Sequence, residues 1–351
     1  MMRKLASIKK IDSIRPIEGA DRIELASIGG WNVVVAKDVG HQVGNKVIYC
    51  EIDSFLPIEP EFEFLRKSSY KKLVDGTEGF RLKTIKLRGQ ISQGLILPLQ
   101  DAIDVMKRRN GEVYHEMLEE GSDVSDLLGI TKYEPPLPAS LAGKAKGLFP
   151  SFIQKTDEER VQNLASEYQS WGIQSKHQFY ATEKLDGSSS TFYYKDGVFG
   201  VCSRNLELLE TEDNTFWKVA REMGLEEKMK SLGYNVCFQG ELIGEGIQGN
   251  PYKIRGQKVY FFNVFDIDKY QRVDLNKFVE IMDSLELPYV PCLSLPFELP
   301  STIEGMLSLA EGKSALNPDT EREGLVIRSM DMTISFKSIS NKFLLKNESR
   351  D

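Results

Sequence analysis

Along the first hundred positions, apolar residues come in short bursts and never in long stripes. Val33-Val34-Val35 and Lys46-Val47-Ile48-Tyr49-Cys50-Glu51-Ile52 read as strands, broken by Gly29-Gly30, Gly40, Gly44 and Pro57. Gly94-Leu95-Ile96-Leu97-Pro98-Leu99 reads as a buried strand that ends at its proline. Strands this short and this closely spaced predict a small barrel. Glu134-Pro135-Pro136-Leu137-Pro138 and Gly143-Lys144-Ala145-Lys146-Gly147 sustain neither helix nor sheet on this reading. They divide the chain into a first domain over 1–135, a linker over 136–150 and a second domain over 151–351. Thr156-Asp157-Glu158-Glu159 has capping-box spacing and predicts a helix running through Val161, Leu164 and Tyr168. Beyond it, strands are expected at 179–183, 190–194, 198–203, 235–242, 258–266, 324–328 and 332–336. Helices are expected at 213–232, at 274–286 and at 301–311, the last with Ser301 and Glu304 as its capping box and Gly312 as its end. The expected class is α+β, a β-barrel followed by a mixed domain of antiparallel sheets and helices.

Composition narrows the chemistry. The 351 residues are 41% apolar and 28% charged, ordinary for a globular protein. No run approaches the roughly 20 apolar residues of a membrane helix, and the charged start Met1-Met2-Arg3-Lys4 is unlike a secretory signal, so no membrane partner is expected. Cys50, Cys202, Cys237 and Cys292 lie far apart, which speaks against a zinc site or a disulfide framework and for a reducing, intracellular compartment. His41, His115 and His177 show no triad context, so any catalysis must rest on Lys, Arg, Asp and Glu.

The net charge of −7 does not itself suggest a nucleic-acid partner, but charge is unevenly spread. Arg66, Lys67, Lys71, Lys72, Arg81, Lys83, Lys86 and Arg88 cluster against Asp75 and Glu78. Such a cluster binds phosphates or is a solvated face. Among small barrels the OB fold is the best-known nucleic-acid binder, and Arg88-Gly89-Gln90-Ile91-Ser92-Gln93-Gly94-Leu95 resembles a segment of tRNA-binding OB domains. Lys83, Lys86, Arg88 and Phe80 are the candidate contacts.

Glu183-Lys184-Leu185-Asp186-Gly187-Ser188-Ser189 places a lysine at a strand end before a glycine turn. Lysine is a nucleophile only as the neutral amine, which requires a cationic neighbour, a bound metal or desolvation. Downstream lie Ser203-Arg204-Asn205, Phe238-Gln239-Gly240-Glu241-Leu242-Ile243-Gly244, Tyr260-Phe261-Phe262-Asn263-Val264-Phe265-Asp266, Glu323-Gly324-Leu325-Val326-Ile327-Arg328 and Ser335-Phe336-Lys337-Ser338-Ile339. This ordered set resembles the nucleotidyltransferase motifs shared by polynucleotide ligases and mRNA capping enzymes.

Only 14 residues follow Lys337, leaving no room for the C-terminal OB domain of DNA ligases and capping enzymes, and the extra mass lies at the N-terminus. With Ser203-Arg204 and the continuation Gly246-Ile247-Gln248, the layout resembles ATP-dependent nick-sealing RNA ligases that carry an N-terminal OB domain before an ATP-grasp-like ligase domain. That resemblance implies that Lys184 attacks ATP, carries AMP, passes it to a 5′-phosphate RNA end and leaves that end for a 3′-hydroxyl. Asp186, Glu241 and Glu323 would hold Mg²⁺ or Mn²⁺, hard cations that prefer oxygen. Arg204 and Lys337 would neutralise phosphate charge, and Phe265, with Phe262 as its rival, would stack on adenine. Glu183 and Asn205 join the nucleotide-binding set, with Glu241 or Arg204 near the ribose. Members of this group often carry Lys-x-Lys, whereas here Ile339 follows Lys337 at that spacing and Ser335 precedes it. The expected partner is a nicked duplex with RNA on the 3′-hydroxyl side, bound by a monomer. The alternatives are DNA ligation or RNA capping, and an RNA-binding protein with an inactive second domain.

Overall fold

The computed structural model describes residues 4–73, 75–134, 143–174 and 177–347. They form two compact units, one of the residues up to 136 with those from 344 onward, the other spanning 137–343. The stretch Pro135-Pro136-Leu137-Pro138 lies outside the described residues.

In the first unit the predicted short strands are present as small antiparallel sheets. Lys46–Cys50 pairs with Ala6–Lys10 on one side and Leu95–Pro98 on the other. A second sheet runs Ser13–Pro16, Ile23–Ile28, Trp31–Ala36, and a third contains Ser54–Pro57 and Glu78–Arg81. Alternation places Ile8, Ile48, Leu56, Phe80 and Leu97 in one core and Trp31, Val33, Val35, Val47 and Tyr49 in another. A helix, Leu99–Asn110, follows the strand that ends at Pro98 and adds Ala102, Val105 and Met106 to the first core. Phe80 is therefore fully buried, which removes it from the candidate RNA contacts.

The second unit is built on two sheets. The larger runs Ala145–Leu148, Leu206–Leu208, Val198–Cys202, Ser188–Lys195, Val236–Gly244, Gln257–Asp266, Gln271–Arg272, antiparallel throughout. The smaller runs Glu159–Arg160, Ser335–Ile339, Gly324–Ser329, Phe179–Lys184, Cys292–Phe297. One face of the smaller sheet is apolar, with Phe179, Ala181, Leu325, Ile327 and Phe336 packed against Ile303 and Met306 of the helix Ile303–Ala310. Period-2 alternation turns Tyr180, Thr182, Lys184, Val326, Arg328, Ser335 and Lys337 to the other face.

Several sequence expectations are corrected. Ala145–Leu148, assigned to the linker, forms an edge strand against Leu206–Leu208 because its backbone can pair whatever its composition. The capping box at Thr156–Glu159 opens no helix. Glu159–Arg160 pairs in parallel with Phe336–Lys337, a short 3-10 turn follows at Val161–Leu164, and the helix is Ala165–Gln174. The span 213–232 is two helices, Thr215–Glu222 capped by Asn214 and Leu225–Lys230, separated by left-handed Gly224. Thr302, not Ser301, caps the helix Ile303–Ala310. The last strand is Ser335–Ile339, not 332–336, because Asp331 holds Ser329 and Thr333 in a tight turn. That shift places Lys337 in the middle of a strand.

Close backbone approach fixes two glycines. A Cβ at Gly324 would stand 2.2 Å from the Ser338 carbonyl oxygen, and one at Gly187 would stand 2.5 Å from the Leu242 carbonyl oxygen. Gly324→Ala is expected to cost about 1–3 kcal/mol through overpacking, lowering the unfolding midpoint by roughly 3–10 °C for a domain of this size. Differential scanning calorimetry checks this, and an unchanged midpoint would mean that these strands part without strain.

Candidate active site

Lys184 is the last residue of a strand in the smaller sheet, and Ser188 is the first of a strand in the larger one. The segment Leu185-Asp186-Gly187 is the corner where the chain passes between sheets. Leu185 anchors the corner in a small apolar cluster with Ile243, Tyr252 and Val290. The backbone N–H of Asp186 donates to the Tyr252 hydroxyl at 2.6 Å. Tyr252 follows a proline in a turn, and nothing in the sequence pattern marks it.

At this corner the Lys184 ammonium donates to both oxygens of Glu323, each at 2.8 Å. Glu323 comes from the residue before strand Gly324–Ser329, whose Gly324 pairs with Lys184. Glu241 comes from the larger sheet, where it pairs with Ser189. Burial would lower the Lys184 pKa, but Glu323, Glu241 and Asp186 outweigh it and hold it above the ordinary lysine value. Burial pushes Glu241 up to about 8, against the pull of Lys184 and with the help of the Glu323 and Asp186 carboxylates. The three predicted metal-binding carboxylates and the predicted nucleophile therefore converge on one point. Among the described residues no three acidic, histidine or cysteine side chains stand close enough to grip a metal directly. The donor set fits a hard divalent cation that keeps its own waters between ion and carboxylates, as Mg²⁺ commonly does.

The predicted cations gather around a segment that sequence reading took for a helix start. Asp157 lies 3.4 Å from the Arg204 guanidinium and 3.6 Å from the Lys337 ammonium. Asn205 accepts from the Lys155 ammonium at 3.0 Å. Ile339 shares the site face with Lys337, since Gly324 pairs with both Lys184 and Ile339, but it is 4% exposed and apolar. Lys342 pairs with Glu311 at 2.8 Å. Neither supplies a second cation beside Lys337.

Two predicted nucleotide residues stand away from this face. The Glu183 carboxylate points to the opposite side of its strand, where it accepts from the Ala315 N–H at 2.7 Å, and burial raises its pKa. It thereby anchors the loop that leads to Glu323. Phe265 is fully buried in an apolar cluster with Ile153, Tyr193 and Cys237, its ring edge-on to Tyr270. A bulge opposite Gln239–Gly240 inserts Phe262 into its strand. Phe262 is half-buried and packs with the Leu185 and Val290 cluster.

In the first unit the basic cluster is partly neutralised. Arg66 pairs with Glu63 and Lys72 with Glu78, while Arg81 lies 4.1 Å over the Tyr133 ring. Exposed aromatics that sequence reading passed over, Phe64 at 62% and Tyr70 at 36%, stand in the same stretch.

Comparison with known proteins places this geometry. An OB-fold domain model matches residues 5–99, and an RNA ligase model matches residues 177–346. No curated protein sequence matches. Among solved structures, the RNA ligase of Naegleria gruberi with pyrophosphate is 41% identical, with a TM-score of 0.89 over 99% of this chain and 100% of that one. A lysine-to-alanine variant of that ligase with ATP and manganese is 40% identical at the same TM-score and the same coverage. A further variant without ligand is 40% identical, with a TM-score of 0.89 over 99% of both chains. The chain belongs to the RNA ligase family, with an N-terminal OB fold ahead of its ligase domain. DNA ligation, RNA capping and loss of catalysis are thereby set aside as readings of the class.

A raised carboxylate pKa makes stability fall as pH rises. Glu241 binds its proton more tightly in the fold than in the unfolded chain, so stability drains away between its ordinary value of 4.5 and about 8. With divalent cations removed, Glu241→Gln is expected to narrow the fall in unfolding midpoint between pH 5.5 and 8.5 by about 3 °C or more. Parallel midpoint-versus-pH curves for the two proteins would show that Glu241 ionises as an ordinary carboxylate.

Proposed function

We propose that this RNA ligase uses ATP to seal nicks between a 3′-hydroxyl and a 5′-phosphate, carrying AMP on Lys184. The observation that carries the reading is the convergence of Lys184, Asp186, Glu241 and Glu323 at the corner between the two sheets. ATP and divalent-metal use are supported further by the 40%-identical Naegleria ligase variant with ATP and manganese.

In the first step the Lys184 amine forms a bond to the α-phosphorus as the α–β bridging bond breaks and pyrophosphate leaves. A 5′-phosphate oxygen then attacks the lysyl-AMP phosphorus, and the nitrogen departs and regains a proton. Finally a 3′-hydroxyl attacks the activated 5′-phosphate and AMP leaves. Asp186, Glu241 and Glu323 would hold a hydrated divalent cation, which would supply positive charge that favours the neutral amine and offsets the phosphates. Arg204 and Lys337, which meet across Asp157, neutralise phosphate oxygens, and Asn205 joins the nucleotide-binding set. Glu183 acts from behind, by holding the loop that presents Glu323. Phe262, on the face shared with Leu185, is the better-placed ring for the adenine, and Phe265 serves the core. The OB domain grips RNA backbone, with Lys83, Lys86 and Arg88 as cations and Phe64 and Tyr70 as stacking surfaces.

Incubation with α-labelled ATP and a divalent metal is expected to leave acid-stable label on the protein and none on Lys184→Ala. Label that survives Lys184→Ala overturns the assignment. On nicked duplexes, sealing is expected to require RNA on the 3′-hydroxyl side, and equal sealing of an all-DNA nick overturns the substrate reading. Phe262→Ala is expected to raise KM for ATP about tenfold or more, since base stacking is worth about 1–3 kcal/mol. Phe265→Ala should instead lower stability by about 3–5 kcal/mol, as loss of a buried ring does. Initial-rate labelling against ATP concentration, with thermal melts, separates the two, and a reversed pattern returns the base to Phe265.

A further inference from the structure

The segment Gln154–Arg160 crosses between the two sheets of the ligase domain, and several of its residues touch the candidate site or the strands that carry it. The Gln154 carbonyl accepts from the Gln239 side chain at 2.9 Å, and Lys155 donates to Asn205. Asp157 stands between Arg204 and Lys337, and Arg160 pairs in register with Lys337. Between them Glu158 turns inward. Its carboxylate accepts from Arg328 at 2.8 Å, from Arg272 at 3.3 Å and from the Ser335 hydroxyl at 2.5 Å. Arg272 belongs to the edge strand of the larger sheet, Arg328 and Ser335 to the smaller one.

Arg328 is 3% exposed and carries the network onward. It donates to the Phe262 carbonyl at 2.8 Å, and its guanidinium carbon lies 5.8 Å from the Phe262 ring centroid. Its Nε also donates to the Ser335 hydroxyl, two residues before Lys337 on one strand. A single carboxylate is thus tied to the bulge that holds the candidate base-stacking ring and to the strand that holds the candidate phosphate-binding lysine. The charges support a built site. Burial alone would raise the Glu158 pKa, but Arg328 and Arg272 outweigh burial and hold it at about 2. Two guanidiniums against one carboxylate leave this cluster with a net positive charge.

We propose that Glu158 is a positioning residue for nucleotide binding, acting through Arg328 on Phe262 and through Ser335 on the strand of Lys337. The proposal rests on the nucleotide reading of the site given above. Glu158→Gln alone would leave two buried guanidiniums uncompensated and would destabilise the domain. The informative variant is Glu158→Gln with Arg272→Gln, which keeps the net charge of the cluster and removes the carboxylate clamp on Arg328. Ser335→Ala is the companion that leaves every charge in place.

The test measures transfer of label from α-labelled ATP to the full chain at varied ATP concentration, alongside thermal melts. The double variant is expected to raise KM for ATP about tenfold, with the maximal labelling rate within about threefold of the parent. Ser335→Ala is expected to raise KM by about threefold on the same pattern. A KM unchanged in a folded double variant overturns the proposal, as does a fall in maximal rate at constant KM. If the double variant does not fold, an unchanged KM in Ser335→Ala overturns it. Failure of the parent protein to label at all is a different result, because it removes the nucleotide reading itself.

Discussion

Lys184, which the proposed reaction needs as a neutral amine, is held here as an ammonium by the carboxyl groups around it. Glu323 grips it with both oxygens, while Glu241 and Asp186 add to the field. Like charges this close are tolerable only with a cation among them. In this arrangement Lys184 itself supplies that charge. The same carboxylates suit a hydrated divalent ion, and such an ion would take over the role as the lysine gives up its proton. On the proposed reading, nucleophile and metal-binding groups form one electrostatic unit, in which adding one positive charge would release another.

That constraint explains the architecture around it. Lys184 ends one strand of the smaller sheet and Glu323 immediately precedes the neighbouring strand, while Glu241 lies on the larger sheet. The corner Leu185-Asp186-Gly187 brings the sheets to within contact of one another, and glycine is required where the backbone passes the Leu242 carbonyl. Tyr252 holds the Asp186 backbone, and Glu183 braces the loop before Glu323 from the far face. These contacts keep the carboxylates in place against their mutual repulsion.

The catalytic corner was legible in the sequence because it depends on spacing along strands. Lys184 ends a strand, Asp186 follows it, Glu241 lies within a strand and Glu323 precedes one, in a recognisable order, and the fold brings them together. The short strands of the N-terminal domain were legible for a similar reason, since their breaks carry the glycines and prolines. What the sequence hid were features that depend on a partner far along the chain. Thr156–Glu159 has the spacing of a helix cap, yet Glu158 is claimed by Arg272 and Arg328, more than a hundred positions away. Phe262 and Phe265 sit in one alternating run, and only a bulge decides which faces the site. Phe80 stands in a basic stretch yet fills the core.

The segment 154–160 bears on the departure from the Lys-x-Lys pattern. The position two before Lys337 is Ser335, whose hydroxyl is bound to Glu158, and the position two after is Ile339, buried opposite Gly324 on the neighbouring strand. A second lysine at either place would displace an interaction that the fold uses. Positive charge is instead supplied from outside the strand. Arg204 approaches from the larger sheet and meets Lys337 across Asp157, while Arg272 and Arg328 lie beneath with one carboxylate between them. On the proposed reading, Arg204 supplies positive charge beside Lys337, and the buried pair Arg272 and Arg328, clamped by Glu158, adds to the field. Charge held by the Glu158 clamp would need little reorganisation when a phosphate arrives, so this arrangement would trade the reach of a second lysine for preorganisation.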